Sequence, residues 1–170
     1  MIDFKDISYL KSGNKRQQKA HHLLTANSIL EKLNQYDPIL VGTIPINIDI
    51  EGSDLDIICY VQDNELFKDD LVHHFQQEKN FIISETTKFS ALKANFIIDD
   101  FEIEIFGQSI PTEKQNAYRH MLIEHKILLK KGRDFRQQVI ELKNQGYKTE
   151  PAFARLLGLN GDAYEALLRL

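Results

Sequence analysis

The chain has one cysteine, no tryptophan, two methionines and four prolines in 170 residues. A single thiol excludes an internal disulfide framework. Cys59 lies in the apolar run Ile57-Ile58-Cys59-Tyr60-Val61, which marks it as a buried core group rather than a nucleophile. No apolar run approaches the roughly 18 residues needed to span a bilayer. The opening Met1-Ile2-Asp3-Phe4-Lys5-Asp6 has no apolar leader core, so the expectation is a cytoplasmic protein without membrane contact. An excess of positive charge is also missing: Lys and Arg number 21 against 25 Asp and Glu, a net charge of −4. That balance argues against broad, non-specific binding to nucleic acid. Internal repeats and low-complexity linkers are absent too. What remains, at 42% hydrophobic, is one domain long enough to bury a sizeable core.

Two segments carry the chemistry. Pro38-Ile39-Leu40-Val41 reads as a short buried strand ended by Gly42-Thr43. Gly52-Ser53-Asp54-Leu55-Asp56-Ile57-Ile58 then places two carboxylates one residue apart on an apolar strand. Strand side chains alternate, so Asp54 and Asp56 share one face while Leu55 and Ile57 enter the core. Like charges side by side on a strand repel, and a divalent cation is the natural compensation. Carboxylate oxygens suit magnesium or manganese, ions that share their coordination shell with substrate phosphates. Without that cation the same pair would serve as a polar cap on the turn after Gly52-Ser53.

The spacing of Gly42-Thr43 and Asp54-Leu55-Asp56 resembles the signature of the nucleotidyltransferase superfamily, the polymerase-beta-like fold, in which an Asp-x-Asp follows a Gly-hydroxyl turn by about ten residues. The resemblance implies that Gly42 lets the backbone approach a triphosphate, that Thr43 and Ser53 line its binding turn, and that Asp54 and Asp56 hold metal ions. It also implies a third carboxylate on a neighbouring strand. Phe101-Glu102-Ile103-Glu104-Ile105-Phe106 offers Glu102 and Glu104 on one face; Glu104 is favoured because it lies deeper in the strand. Two departures stand out: Thr43 replaces the more usual Ser or Gly, and the intervening Ile44-Pro45-Ile46-Asn47-Ile48-Asp49-Ile50 is unusually apolar. That insert alternates as a hairpin arm would.

More narrowly, Gly52 to Ile57, Glu104-Ile105-Phe106-Gly107-Gln108, Tyr118-Arg119-His120-Met121 and Lys148 to Phe153 resemble the DUF4269 group of small bacterial nucleotidyltransferase-like proteins. That likeness implies a metal-dependent nucleotidyltransferase, using Mg2+ or Mn2+ and an NTP, that transfers a nucleoside monophosphate to an acceptor hydroxyl. The alternative is a non-catalytic nucleotide- or metal-binding regulatory or antitoxin-like module.

Periodicity supplies the frame. Helices are expected over Asn14 to Gln35 and Asp63 to Lys79, the second burying Leu66, Leu71, Val72 and Phe75. Further strands are expected over 81–84 and 94–98, the latter turning through Asp99-Asp100 into the Glu-bearing strand as a hairpin. From Pro111 the pattern is helical: 112–131, 133–144 and short helices after Pro151 and Gly161. The expected class is α/β (α+β), a mixed sheet flanked by helices. Residues 1–110 would form the nucleotidyltransferase-like core, with 111–170 a helical region packed on it. The apolar tail is expected to pack on this core, with an oligomer contact as the alternative.

Some residues invite sharper readings. His120 and Glu124 stand four apart on one helical face, as a His–Glu pair that stiffens the helix or as a contact to the nucleotide pocket. His120 and His125 are five apart and diverge, which excludes a helical zinc pair. Lys88, Lys93, Arg119 and Lys130-Lys131-Gly132-Arg133 are candidate phosphate contacts, although basic residues at a helix end also serve its dipole. His21-His22 and His73-His74 are expected at the surface.

Overall fold

The computed structural model describes residues 2–86 and 91–170; Lys88 lies outside them. Five strands form one mixed sheet in the order β1-β2-β5-β4-β3: β1 Ile39–Val41, β2 Leu55–Tyr60, β3 Lys79–Thr86, β4 Ala91–Ile98 and β5 Phe101–Gln108. The central pair, β2 and β5, is parallel; all other neighbours are antiparallel. The β4–β5 connection is the expected two-residue hairpin, with Asp99 at φ +52°, a backbone region that Asp tolerates.

One sheet face packs against α1 Lys15–Ala26, α2 Ile29–Lys32 and α3 Asn64–Phe75. Leu23, Leu24, Ile29 and Leu33 meet Leu55, Ile57, Cys59, Ile103 and Ile105 there, so the odd-numbered residues of β2 and β5 are core. α1 opens with a capping box in which Asn14 and Gln17 satisfy each other's backbone N–H groups. The single helix expected over Asn14 to Gln35 is broken. Asn27 folds its side chain back onto the Leu23 carbonyl, and Ser28 adopts φ +51°, so α1 and α2 are separate. Asn and Ser compete with the helix by such local bonds.

α3 starts on Asp63, whose carboxylate caps two backbone N–H groups. It buries Phe67, Leu71 and Phe75, spaced four apart, while Leu66 is 50% exposed. The aromatic stripe wins over the expected one because Phe75 stacks on Phe96 and Phe67 meets Tyr36 edge to face. The opposite sheet face is covered near β1 and β2 by α4 Asn116–Lys131, α5 Arg133–Asn144, α6 Thr149–Leu157 and α7 Ala163–Leu167. Met121, Leu128, Val139, Phe153 and Leu167 pack there with Ile39, Val41 and Ile58. The apolar tail buries Phe153 and Leu167 in the chain's own core.

The insert at 44–50 is not a hairpin. It is a run of turns whose alternate isoleucines split between the two cores: Ile44 joins the first, Ile46 and Ile48 the second. Ile44, Ile46 and Ile48 are therefore buried without a strand partner, because side chains clamp the backbone groups a hairpin would have paired. Gln17 donates to the Ile44 and Pro45 carbonyls at 2.8 and 3.2 Å. Arg136 donates to the Ile46 and Asn47 carbonyls, and Lys143 to the Ile48 carbonyl at 2.8 Å.

Candidate active site

A single row of register partners crosses all five strands: Val41, Asp56, Glu104, Asn95 and Ile82. Parallel pairing of β2 with β5 puts Asp56 and Glu104 side by side on the same face, and antiparallel pairing of β1 brings the Gly42-Thr43 turn beside them. Asp54 stands just ahead of β2 on the rim. Val41, Gly42, Thr43, Asp54, Asp56 and Glu104 line one cavity of about 740 Å3 between the sheet and the C-terminal helices.

Gly42 sits at φ +84°, and a Cβ there would lie 2.3 Å from Asp56 Oδ2. Glycine is needed twice over, for the conformation and for the close approach of the carboxylate. The turn beyond it is braced by Ser53, whose hydroxyl accepts from the Ile50 N–H at 2.9 Å and lies 3.5 Å from Thr43 Oγ1. Arg16 stacks over Phe101, reaches Asp49 and donates to the Ser53 carbonyl at 2.6 Å, fixing the far end of the same loop.

The two candidates on β5 separate. Glu102 is exposed and does not line the cavity; Glu104 does, and its Oε2 lies 3.1 Å from Lys93 Nζ and 3.4 Å from Asn95 Nδ2. Burial pushes Asp56 up to about 7, helped by the nearby charges of Asp54 and Glu104 and opposed by Lys143. Asp56 thus shares the sheet wall with two other carboxylates whose charges oppose its ionisation. Among the described residues no three acidic, imidazole or thiol groups are already drawn into a metal cage. The donors are carboxylate oxygens, the type that fits magnesium or manganese, and Glu104 would share its carboxylate between Lys93 and such an ion.

The helical wall was only partly visible in the sequence. His120 does not pair with Glu124. Its Nε2 donates to the Tyr164 carbonyl at 2.9 Å, and its Nδ1 faces Glu150 Oε1 at 3.6 Å. Glu124 is 4% exposed, its Oε1 has no partner, and burial, with Glu150 adding to it, pushes its carboxyl up to about 8. Lys143, at the end of α5, and Lys148 also line the cavity. Burial lowers the Lys143 ammonium, against the pull of Asp49, Glu124, Asp54 and Glu150. The expected phosphate contacts lie elsewhere. Lys93 is tied to Glu104, whereas Arg119, Lys130, Lys131 and Arg133 are exposed and outside the cavity. A lysine in the last turn of a helix ordinarily serves the dipole, so the sequence does not single out Lys143; its place in the cavity and its 2.8 Å bond to the Ile48 carbonyl do. His125 packs edge-on against Phe4, away from His120's partners, as their spacing requires.

The fold is shared with several solved structures of low sequence identity. The chain is similar to a protein in the "structure of GLD-2/RNP-8 complex", with TM-score 0.58 and 17% identity over 82% of this chain and 56% of that one. It is also similar to the Cid1 poly(U) polymerase, described bound to Mg and 3'-dATP, with TM-score 0.56 and 11% identity over 91% and 48% of the two chains. A third neighbour is the polymerase core of TRAMP, an RNA surveillance complex, with TM-score 0.53 and 12% identity over 95% and 50%. This chain spans about half the length of these neighbours. No curated protein matches it. Among the described residues no helix is long and apolar enough to cross a membrane. The model of the Domain of unknown function family DUF4269 matches residues 22–170, and the chain belongs to that family.

Proposed function

We propose that the protein is a metal-dependent nucleotidyltransferase that moves a nucleoside monophosphate from an NTP to an acceptor hydroxyl. The observation that carries this reading is the register of Asp56 with Glu104 on adjacent parallel strands, beneath a Gly42 turn with no room for a side chain. Phosphoryl chemistry asks a protein mainly to position groups and to stabilise charge, and this arrangement meets both demands. Asp54, Asp56 and Glu104 would hold magnesium or manganese, which supplies charge neutralisation for the triphosphate and a lower pKa for the attacking hydroxyl.

Gly42 lets the phosphates approach the backbone, Thr43 offers its hydroxyl, and Ser53 keeps the turn in shape. The acceptor oxygen bonds to the α-phosphorus as the bond to the bridging oxygen breaks, and pyrophosphate leaves. Glu104 receives the hydroxyl proton. Lys148, on the opposite wall, offsets part of the charge of the triphosphate. The expected setting is the cytoplasm, which supplies NTPs and keeps the Cys59 thiol reduced.

The test is titration calorimetry of the four NTPs, with and without magnesium or manganese, on wild type and the Asp54→Asn/Asp56→Asn variant, followed by transfer of α-phosphate label to acceptor pools. Metal-dependent binding lost in the variant, with label transfer, supports the reading; no NTP binding in wild type under any condition overturns it. One observation favours a second reading, binding without turnover: Glu104 is already tied to Lys93 and Asn95. Metal-dependent NTP binding with no labelled product would select it.

A further inference from the structure

Glu124 has no evident structural employment. It sits midway along α4, 4% exposed, and lines the cavity opposite the sheet acids. Its Oε1 is shut off from solvent without a hydrogen-bond partner. No ion pair among the described residues includes it, although Lys143 and Glu150 are close enough to influence it. A buried carboxyl left unsatisfied costs stability, and an ionised one costs more than a neutral one. A protein that retains such a group in a cavity wall has a ligand as the natural compensation.

The surroundings restrict that ligand. With its pKa up at about 8, the carboxyl is protonated at neutral pH and presents an O–H donor beside a C=O acceptor. A cationic ligand group would meet Lys143, whose Nζ is fixed on the Ile48 carbonyl nearby. An anionic one would meet Glu150, held in place by His120, which is itself anchored on the Tyr164 carbonyl. Met121, one helical turn before Glu124 and 1% exposed, contributes an apolar, polarisable surface to the same wall. What fits is a flat, neutral edge that carries an acceptor beside a donor. Nucleobases have such edges; the triphosphate does not.

We infer that Glu124 is the specificity-determining residue of the cavity, a carboxyl that reads the hydrogen-bonding edge of a nucleobase from the helical wall. This rests on the nucleotidyltransferase reading and adds to it the residue that distinguishes a nucleotide from a bare polyphosphate. A site built around a polar group rejects a ligand that cannot pair with it far more strongly than an apolar pocket would, so the residue sets selectivity rather than mere affinity.

The experiment compares the affinities of the four NTPs with that of inorganic tripolyphosphate, each with magnesium, on wild type, Glu124→Gln and Glu124→Leu, and records a thermal melt for each. Glu124→Leu should lower the ratio of NTP to tripolyphosphate affinity by roughly tenfold for the preferred base, and should melt no lower than wild type, because an unpaired buried acid has been replaced by an apolar side chain. Glu124→Gln, which stays neutral and keeps a donor beside an acceptor, should retain the ratio within about threefold. An unchanged ratio in Glu124→Leu overturns the inference, as does a lower melting temperature with equal loss of both ligands, which marks a structural role. Absence of NTP and tripolyphosphate binding in wild type removes the nucleotide reading itself, and this inference with it.

Discussion

Replacing Gly42 by alanine adds one methyl group, and the structure says where it goes. Its Cβ would lie 2.3 Å from Asp56 Oδ2 and 3.3 Å from Asp56 Cγ, and the backbone would remain at φ +84°. Holding a non-glycine residue in that region costs roughly 1–2 kcal/mol. The collision involves the end of a side chain, so the carboxylate can swing aside at little further cost to folding. Total destabilisation should be about 2 kcal/mol, a fall of roughly 4–8 °C in Tm for a chain of this size. The functional loss should be much larger. An Asp56 displaced by an ångström no longer aligns with Glu104, and misplacement on that scale costs on the order of a hundredfold in rate or metal-dependent affinity.

Three measurements isolate the effect. Denaturant unfolding gives the stability change. Calorimetry with an NTP and magnesium gives the affinity change, and the same titration in an Asp56→Asn background shows whether both act through one carboxylate, in which case the alanine should cause almost no additional loss. Gly107→Ala is the control. Its Cβ would meet Phe67 Cε1 at 2.3 Å and Val61 Cγ2 at 2.7 Å in the core, so it should lose about 1–3 kcal/mol of stability without a selective loss of nucleotide. If Gly42→Ala binds nucleotide within about threefold of wild type despite melting lower, close approach of backbone and carboxylate is not what the glycine is for.

Other consequences follow from the helical wall. The Glu124 carboxyl keeps its proton in the folded state up to about pH 8 but releases it near pH 4.5 when unfolded. Stability from this group is therefore greatest below that window and falls as pH rises through it. The difference between Glu124→Gln and wild type in denaturant titrations should grow by a few kcal/mol between those limits, at about 1.36 kcal/mol per pH unit as a ceiling. A flat difference would mean the carboxyl titrates normally. Lys143→Met keeps the length of the side chain but leaves the buried Ile48 carbonyl unpaired, so unfolding should cost about 1–3 kcal/mol less. NTP affinity should fall with it, since the loop between Gly42 and Asp54 loses one of its clamps; unchanged stability and affinity would show the ammonium to be dispensable.

The fold was legible where local pattern and tertiary packing agree. Alternation in 101–106 assigns Phe101, Ile103 and Ile105 to the core, which is where the sheet buries them. The Asp99-Asp100 turn specifies its hairpin through chemistry that operates within four residues. Agreement fails where a side chain competes with the regular ladder. Asn27 and Ser28 break a helix whose apolar stripe runs on past them, and the loop after Thr43 buries Ile44, Ile46 and Ile48 without becoming a strand. In the first case the apolar period ignores a capping bond. In the second it reports only that two cores lie on opposite sides of one loop, whose backbone is satisfied by Gln17, Arg136 and Lys143 from remote helices.

The same distinction divides the site. The sheet wall is written locally: Gly42 and Asp56 are brought together by pairing of two strands close in sequence, and the alternation that puts Glu104 inward rather than sideways is set within its own strand. The helical wall has no local signature, because Glu124, Lys143, Glu150 and Tyr164 come from four helices whose ordinary residues would be a charged helix face, a dipole-complementing lysine, a first-turn acid and a surface tyrosine. Only packing converts them. Met121, Leu128, Val139, Phe153 and Leu167 pull these helices onto β1 and Ile58, and in doing so strip water from Glu124 and Lys143. A residue that helps to exclude water from a cavity while its own polar group goes unpaired makes stability and function pull in opposite directions. That is why Glu124→Leu should melt no lower than wild type and bind less selectively, a combination that neither a purely structural residue nor a solvated surface acid can produce.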